Sequence, residues 1–220
     1  MTILLEWNDS TKKNFESGLD RGVLYARNPA GAYPLGVAWE GLISLAEKPG
    51  GSEPTDLWAN NVKYAQLLSG ATFDGTIEAY TYPDEFGVCD GSVVAVAGMV
   101  IDQQARTPFG LSYRTYVGTE AAGQTAAYLI HVIYGCIAQP SEVSRATIND
   151  SPEAGTFSWE FKTTPAAMAG HNPVSKITID SRTLGATELT AVEEALYGVD
   201  TPVDAYLPLP AALLALCTPA

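Results

Sequence analysis

The segment from Thr156 to Thr163 alternates strictly between apolar and polar side chains. Phe157, Trp159 and Phe161 fall on one face, and the residues between them are polar or charged. Alternation with a period of two is typical of a strand that buries one face. A slip of one residue would expose three aromatic rings, so the pattern predicts a strand with a tightly specified register.

Similar patterns recur along the chain and predict a mainly β fold with turns every dozen residues or so. Strands are expected at 22–27, 37–46 (with Trp39, Ile43 and Leu45 on one face), 75–82, 93–101, 111–117, 126–138 and 175–180 (with Ile177 and Ile179 inside). The apolar runs 93–101 and 126–138 indicate strands that are buried on both faces. Residues 50–54 are expected to form a loop, and 57–68 fits either a helix or a strand.

One helix is expected near the C-terminus. Thr187 is a candidate N-cap, Glu188 adds an acidic side chain to the first turn, and Gly198 is placed to end the helix in the left-handed conformation. Its apolar stripe is formed by Leu189, Val192 and Leu196. We therefore predict one domain, 1–220: a β-sandwich or barrel with a packed helix and an apolar tail, 206–220.

The charge balance argues against ordinary binding of nucleic acid. The 220 residues contain 12 Lys and Arg against 25 Asp and Glu, which gives a net charge of −13. Binding to phosphates needs clustered cations. The acidic balance is compatible with a surface that must not hold a polyanion, but charge alone favours the simpler interpretation of an acidic protein whose charge only aids solubility.

The three cysteines, Cys89, Cys136 and Cys217, are widely spaced and odd in number. They suit free thiols in a reducing compartment. The apolar start, Met1 to Trp7, is interrupted early and is not expected to be a signal peptide. No apolar run reaches about 18 residues, so we expect no membrane anchor and synthesis in the cytoplasm.

Motifs for chemistry are missing from the sequence. His131 lies in an apolar strand and is expected to be a satisfied core histidine, whereas His171 is expected in a polar loop. Asp84, Glu85 and Asp90 form the best acidic cluster, as a calcium site, a glycosidase pair or, more simply, a solvated turn. We predict no catalytic, metal or cofactor-binding residue, and hence no enzyme.

The most distinctive segment is Gly75-Thr-Ile-Glu-Ala-Tyr-Thr-Tyr-Pro-Asp-Glu-Phe, a strand that should stop at Pro83 before an acidic turn. Further segments occur in order along the chain. They are Asp20-Arg-Gly-Val-Leu-Tyr, Val37-Ala-Trp-Glu-Gly-Leu, Glu53-Pro-Thr-Asp-Leu-Trp-Ala-Asn-Asn-Val-Lys-Tyr, Pro108-Phe-Gly-Leu-Ser-Tyr-Arg-Thr, Ile148-Asn-Asp-Ser-Pro-Glu-Ala, and Phe157-Ser-Trp-Glu with Thr163-Thr-Pro. As an ordered set they resemble the major tail tube proteins of long-tailed, non-contractile bacteriophages.

The resemblance implies a structural virion protein made in the bacterial cytoplasm and carried in the viral tail. Six subunits would join their sheets into one β-barrel ring, and stacked rings would form the tube through which DNA passes without specific binding. Implied partners are the tape measure protein, the tail terminator and the tail tip proteins. Six copies of −13 give −78 per ring, which would repel phosphates if part of it lined the bore. A secretion-system tube and a small-ligand-binding β-barrel are the alternatives.

Two sets of residues are candidates for roles in such a tube. The polar face of the strand 75–82, with Thr76, Glu78 and Tyr80, is a candidate lining of the bore, and Ser112, Arg114 and Tyr116 are the alternative lining. The segment Gln103–Gly110, with Arg106, Pro108 and Phe109, is a candidate arm to a neighbouring subunit or an ordinary surface loop.

Overall fold

The computed structural model describes residues 7, 9, 13–51, 54–67, 70–120, 123–143, 145, 147, 154–200 and 204–219. Within these ranges the chain is mainly β, as predicted. The strands are β1 Asn14–Ala26, β2 Gly36–Ala38, β3 Leu42–Gly50, β4 Thr55–Ala59, β5 Val62–Leu67, β6 Thr72–Ala79, β7 Val93–Val96, β8 Met99–Ile101, β9 Phe109–Thr119, β10 Gly123–Ala138, β11 Phe157–Thr163 and β12 Lys176–Asp180. The helices are α1 Gly87–Asp90, α2 Ala186–Tyr197 and α3 Pro210–Leu216.

Eight strands form one antiparallel sheet in the order β2-β1-β9-β10-β11-β6-β3, with β12 also paired to β10. Along one edge of β10, residues 129–133 pair with β12 and residues 136–138 pair with β11. Gly135 separates the two stretches with a φ of 64°, and a Cβ there would lie 2.3 Å from the Thr164 carbonyl oxygen. Glycine permits this conformation and this close approach, so the sheet divides at Gly135.

The first core lies between the β1-β9-β10 part of the sheet and the β3-β6-β11 part. Its centre is aromatic: Trp39, Phe86 and Trp159 have ring centroids 4.8 to 6.0 Å apart. Phe86 is supplied by a short 3-10 turn, Asp84–Phe86, that follows Pro83. The inward alternation predicted for β11 is confirmed, because Trp159 and Phe161 are buried and Glu160 and Lys162 are exposed.

The second core lies on the opposite face of β1, β9 and β10, beneath α2 and α3. Val192 and Leu196 of α2 are fully buried there, together with Leu213 of α3. The hydroxyl of the buried Tyr25 lies 3.0 Å from the Ser112 hydroxyl and donates to the Leu196 carbonyl oxygen at 2.7 Å. This bond ties the end of α2 to the sheet.

The predicted helix is confirmed, but its start differs. The N-cap position is Gly185 rather than Thr187, and no side chain caps it. Gly198 ends the helix with a positive φ of 78°, but its ψ of 174° lies outside the left-handed helical conformation that was predicted. One helix was predicted, whereas the described residues contain three; the apolar tail forms α3, because Pro210 suits a first helical position.

Two strand predictions need correction, and one ambiguous segment proves to be extended. The expected strand 37–46 is two strands, since Gly41 turns the chain with a φ of 75° between β2 and β3. The run 93–101 is not a buried strand but an exposed hairpin, β7 and β8. The ambiguous segment 57–68 belongs to a second hairpin, β4 and β5, whose turn residues Asn60 and Asn61 have φ values of 52° and 61°.

Candidate functional site

The outward face of β3, β6 and β11 is a polar surface, here called the outer sheet face. Glu78 is exposed on it, and Ser44 and Ser158 lie directly opposite on the two neighbouring strands. The Ser44 hydroxyl donates to a Glu78 carboxylate oxygen at 2.8 Å. The charged side chains of this face are Lys48, Asp74, Glu78, Glu160 and Lys162. Three acidic against two basic groups leave a net charge of −1, a small part of the charge of the chain.

The other two candidate lining residues also lie at this surface. Tyr80 directly follows β6 and is 55% exposed. Thr76 is half-buried, and its hydroxyl oxygen is buried without a hydrogen-bond partner. The alternation is confirmed for Ile77 and Ala79, which are fully buried, but it ends with the strand at Ala79, so Thr81 is exposed rather than inward.

The alternative lining residues sit on the face of β9 that α2 covers. Ser112 is fully buried, and Arg114 is 8% exposed. Arg114 donates from Nε and Nη2 to the Asp20 carboxylate at 2.8 and 2.6 Å. The Tyr116 hydroxyl donates to the same carboxylate at 2.6 Å. Ser112 and Arg114 therefore hold the fold together and are not available to line a channel.

The candidate arm Gln103–Gly110 does not project from the fold. Phe109 is fully buried in the first core, where its ring centroid lies 5.5 Å from that of Phe86. The Arg106 Nε donates to the Asp90 carbonyl oxygen at 2.9 Å, and Pro108 is half-buried. The interpretation of this segment as an arm with Phe109 at an apolar tip is therefore wrong. Phe109 is the first residue of β9, and its side chain is buried in the first core.

Instead, two hairpins carry exposed apolar side chains. The hairpin β7–β8, residues 93–101, contains no charged residue. Its exposed apolar residues are Val93, Val94, Val96, Met99, Val100 and Ile101. The hairpin β4–β5 exposes Trp58, Val62 and Tyr64 by 68%, 59% and 75%. Exposed apolar patches of this kind are typical of surfaces that meet other protein chains, membranes or ligands.

The main sheet also has free edges within the described residues. β3 pairs with β6 along one edge, and no described strand pairs with its other edge. β2 ends the sheet after pairing with β1, but the Gly36 N–H on its other side already donates to the Ala205 carbonyl oxygen at 2.7 Å. β12 pairs along one edge with β10, and no described strand pairs with its other edge. Free backbone N–H and C=O groups at such edges are able to pair with a strand of another chain.

A polar cleft of about 610 Å³ opens between β1 and β3, at the side of the first core. Its polar lining consists of Glu16, Ser44, Glu47, Tyr113, Thr115, His131 and Lys176. Glu47 of β3 accepts hydrogen bonds from Lys176 of β12 and from the Tyr113 hydroxyl of β9. Burial alone would raise the pKa of Glu47, but the contacts with Lys176 and Tyr113 outweigh burial and lower it.

The buried histidine is satisfied, as expected. The His131 ring stacks on Tyr113 with centroids 4.7 Å apart, and its Nε2 lies 2.8 Å from the Thr115 hydroxyl. Cys89 and Cys136 are buried free thiols, and burial raises the pKa of Cys89 to about 12. Asp84 and Glu85 are exposed at the 3-10 turn, and the described residues contain no group of three or more potential metal ligands among His, Cys, Asp and Glu.

The sequence analysis predicted neither the two exposed hairpins nor the polar cleft. A turn signal was present in each hairpin, Asn60-Asn61 in the first and Ala97-Gly98 in the second. Gly98 has a φ of 84°, which the hairpin turn requires. The cleft has no local signal, because its charged groups come from four strands that are distant in sequence.

Comparison with models of known protein families and with curated protein sequences gave no match for this chain. Among the described residues, no helix has both the length and the apolar character needed to cross a membrane.

Proposed function

We propose that the chain is a structural subunit of a phage tail tube, in which six copies form a ring and stacked rings form the channel for DNA. The observation that carries this proposal is the pair of exposed apolar hairpins, each a separate two-stranded sheet, together with the unpaired strand edges of the main sheet. A protein that works alone gains nothing from either feature, since both invite association. Association with sister copies removes both from water.

In this proposal the free edges close the ring. The open edge of β3 pairs with an edge strand of the next copy, which continues the antiparallel sheet from one subunit to another. Six repeats of this contact close the sheet into a barrel and remove the two edges that pair with each other. The hairpins β7–β8 and β4–β5 take the role expected of the segment Gln103–Gly110 and contact neighbouring subunits or rings.

The outer sheet face, with Glu78, Thr76 and Tyr80, would then line the bore. It lies on the side of the β3-β6-β11 layer opposite the cores, away from α2 and α3. With a net charge of −1 it contributes only −6 to a ring of six, so it offers DNA no cationic groove and only weak repulsion. DNA would pass over hydroxyl groups and balanced charges, and the remaining acidic charge lies elsewhere.

The tyrosines fit a structural subunit better than a ligand-binding barrel. Tyr25 and Tyr134 are fully buried, and their hydroxyls donate to the carbonyl oxygens of Leu196 and Pro208. They fill the second core and hold the helical segments to the sheet. A ligand cavity would instead need tyrosine hydroxyls that point into empty space.

Electron microscopy of the purified protein tests the proposal. Long hollow tubes are the expected result, whereas a chain that stays monomeric at all concentrations would contradict it. Cysteine labelling then tests the bore. In a Cys217→Ser background, Glu78→Cys should react with a bulky maleimide in the isolated subunit and be protected in tubes. Glu194→Cys, exposed on α2, is the matched control and should react in both. Equal labelling of Glu78→Cys in tubes and subunits would exclude a bore position.

A further inference from the structure

The polar cleft brings together groups from every strand around it. Glu16 belongs to β1, Glu47 to β3, Tyr113 and Thr115 to β9, His131 to β10, and Lys176 and Thr178 to β12. The contact between Glu47 and Lys176 joins the edge strand β3 to β12, across the open side of the first core. This contact therefore links the β3-β6-β11 part of the sheet to β12, which pairs with β10.

The hydrogen bonds define where His131 carries its proton. Thr115 donates its hydroxyl proton to Glu16 at 2.6 Å, so its oxygen can only accept from His131 Nε2, at 2.8 Å. The neutral ring therefore holds its proton on Nε2. The other nitrogen, Nδ1, faces the Thr178 hydroxyl at 3.4 Å and is the position that takes up a second proton.

The surroundings of His131 disfavour that second proton on balance. Burial lowers the pKa of His131 below its ordinary value, and the nearby Lys176 ammonium lowers it further. The carboxylates of Glu47 and Glu16 act in the opposite direction but do not outweigh them. Glu16 Oε1 lies 3.4 Å from His131 Nε2, and this side chain is half exposed to water.

We propose that His131 is a proton-sensitive switch in this cleft, whose protonation weakens the Glu47–Lys176 contact and loosens the edge strand β3. An imidazolium placed beside Lys176 competes with it for the Glu47 carboxylate and repels the ammonium. Lys176 is already 21% exposed, so it has a route to water when the contact weakens. β3 then loses its link to β12 and retains its pairing with β6.

The chain contains two histidines, so the protonation step is directly measurable by nuclear magnetic resonance. The imidazole signals of the full chain, isolated as unassembled subunit, are followed against pH, and the His131 signal is assigned by its loss in His131→Gln. The midpoint of His131 should lie below the ordinary imidazole value of 6.5. Lys176→Gln should raise the His131 midpoint and Glu16→Gln should lower it, each by about one pH unit. A His131 midpoint at or above 6.5, or two shifts of the same sign, would overturn the proposal.

Hydrogen exchange tests the loosening of β3. We expect the protection of β3 amides, corrected for intrinsic exchange, to fall about tenfold relative to β9 amides as His131 becomes protonated. Glu16 is half-exposed, so Glu16→Gln is a mild substitution. In this variant the loss of β3 amide protection should move to lower pH together with the His131 midpoint. His131→Gln should abolish it. Protection of β3 that does not follow the His131 midpoint contradicts the switch, and this result is independent of whether the protein forms tubes.

Discussion

Asp20 accepts both hydrogen bonds of an Arg114 fork, at 2.8 Å from Nε and 2.6 Å from Nη2, at a point where the pairing of β1 with β9 is irregular. The Arg114 side chain is 10% exposed, so removing its partner leaves a charge that is largely buried. Asp20→Asn should therefore lower the free energy of unfolding by about 2 kcal/mol, measured by urea denaturation. Asp180→Asn, which breaks the more exposed pair with Arg182, should change it by less than about 1 kcal/mol.

The same pair predicts how stability depends on pH. The hydrogen bonds from Arg114 lower the pKa of Asp20 below its ordinary value of 3.8. A lowered pKa in the folded state means that the stabilisation is complete above about pH 4 and is lost as the pH falls through the folded pKa. The unfolding free energies of wild type and Asp20→Asn should therefore converge in acid. A difference that stays constant down to about pH 2 would contradict this assignment.

Phe86→Ala should be among the most damaging substitutions in the first core. The ring is fully buried between Trp39, Phe109 and Trp159. Its removal should cost about 3 to 5 kcal/mol in the free energy of unfolding, because the surrounding large rings cannot fill the cavity. Val88→Ala, two residues further on and 41% exposed, is the control and should cost less than about 1 kcal/mol.

Thr76→Val should stabilise the subunit. The Thr76 hydroxyl oxygen is buried without a hydrogen-bond partner, and valine has the same shape and a high preference for strands. We expect a gain of about 0.5 to 1 kcal/mol in thermal or chemical unfolding. Thr72→Val at the exposed start of the same strand should change little. A loss of stability in Thr76→Val would show that the hydroxyl has a partner in solution.

The hairpin β7–β8 should matter for assembly and not for folding. Val94 and Val100 pair directly across it and are 65% and 58% exposed. The double substitution Val94→Ser/Val100→Ser should leave the unfolding midpoint nearly unchanged and abolish tubes in electron microscopy, because it removes the apolar contact area. Val199→Ser, at an exposed valine after α2, should assemble normally. Normal tubes from the double variant would exclude this hairpin from the interfaces.

The strands with strict alternation were predictable, because burial of one face leaves a direct record in the sequence. The outward position of Glu78 and the inward positions of Trp159 and Phe161 follow from that record alone. The run 93–101 was misread because a buried strand and an exposed apolar hairpin have the same aliphatic composition. Phe109 was misread because Pro108 resembles the start of a loop tip, whereas burial of the ring depends on contacts with residues far away in sequence.

The candidate site divides in the same way. The outer sheet face lies on neighbouring strands, and the outward polar positions of each strand can be recognised from the alternation in its own sequence. The polar cleft depends on Glu16, Glu47, His131 and Lys176 meeting in three dimensions, so no window of sequence contains it. Arg114 belongs to this second class too: its alternation was visible, but only the position of α2 shows that its face is covered.

The long strand β10 contributes Ile133 and Cys136 to one core and Ile130 and Val132 to the other. Because β10 belongs to both cores, thermal unfolding of one core should unfold the other as well. A calorimeter should record a single absorption peak whose van 't Hoff and calorimetric enthalpies agree.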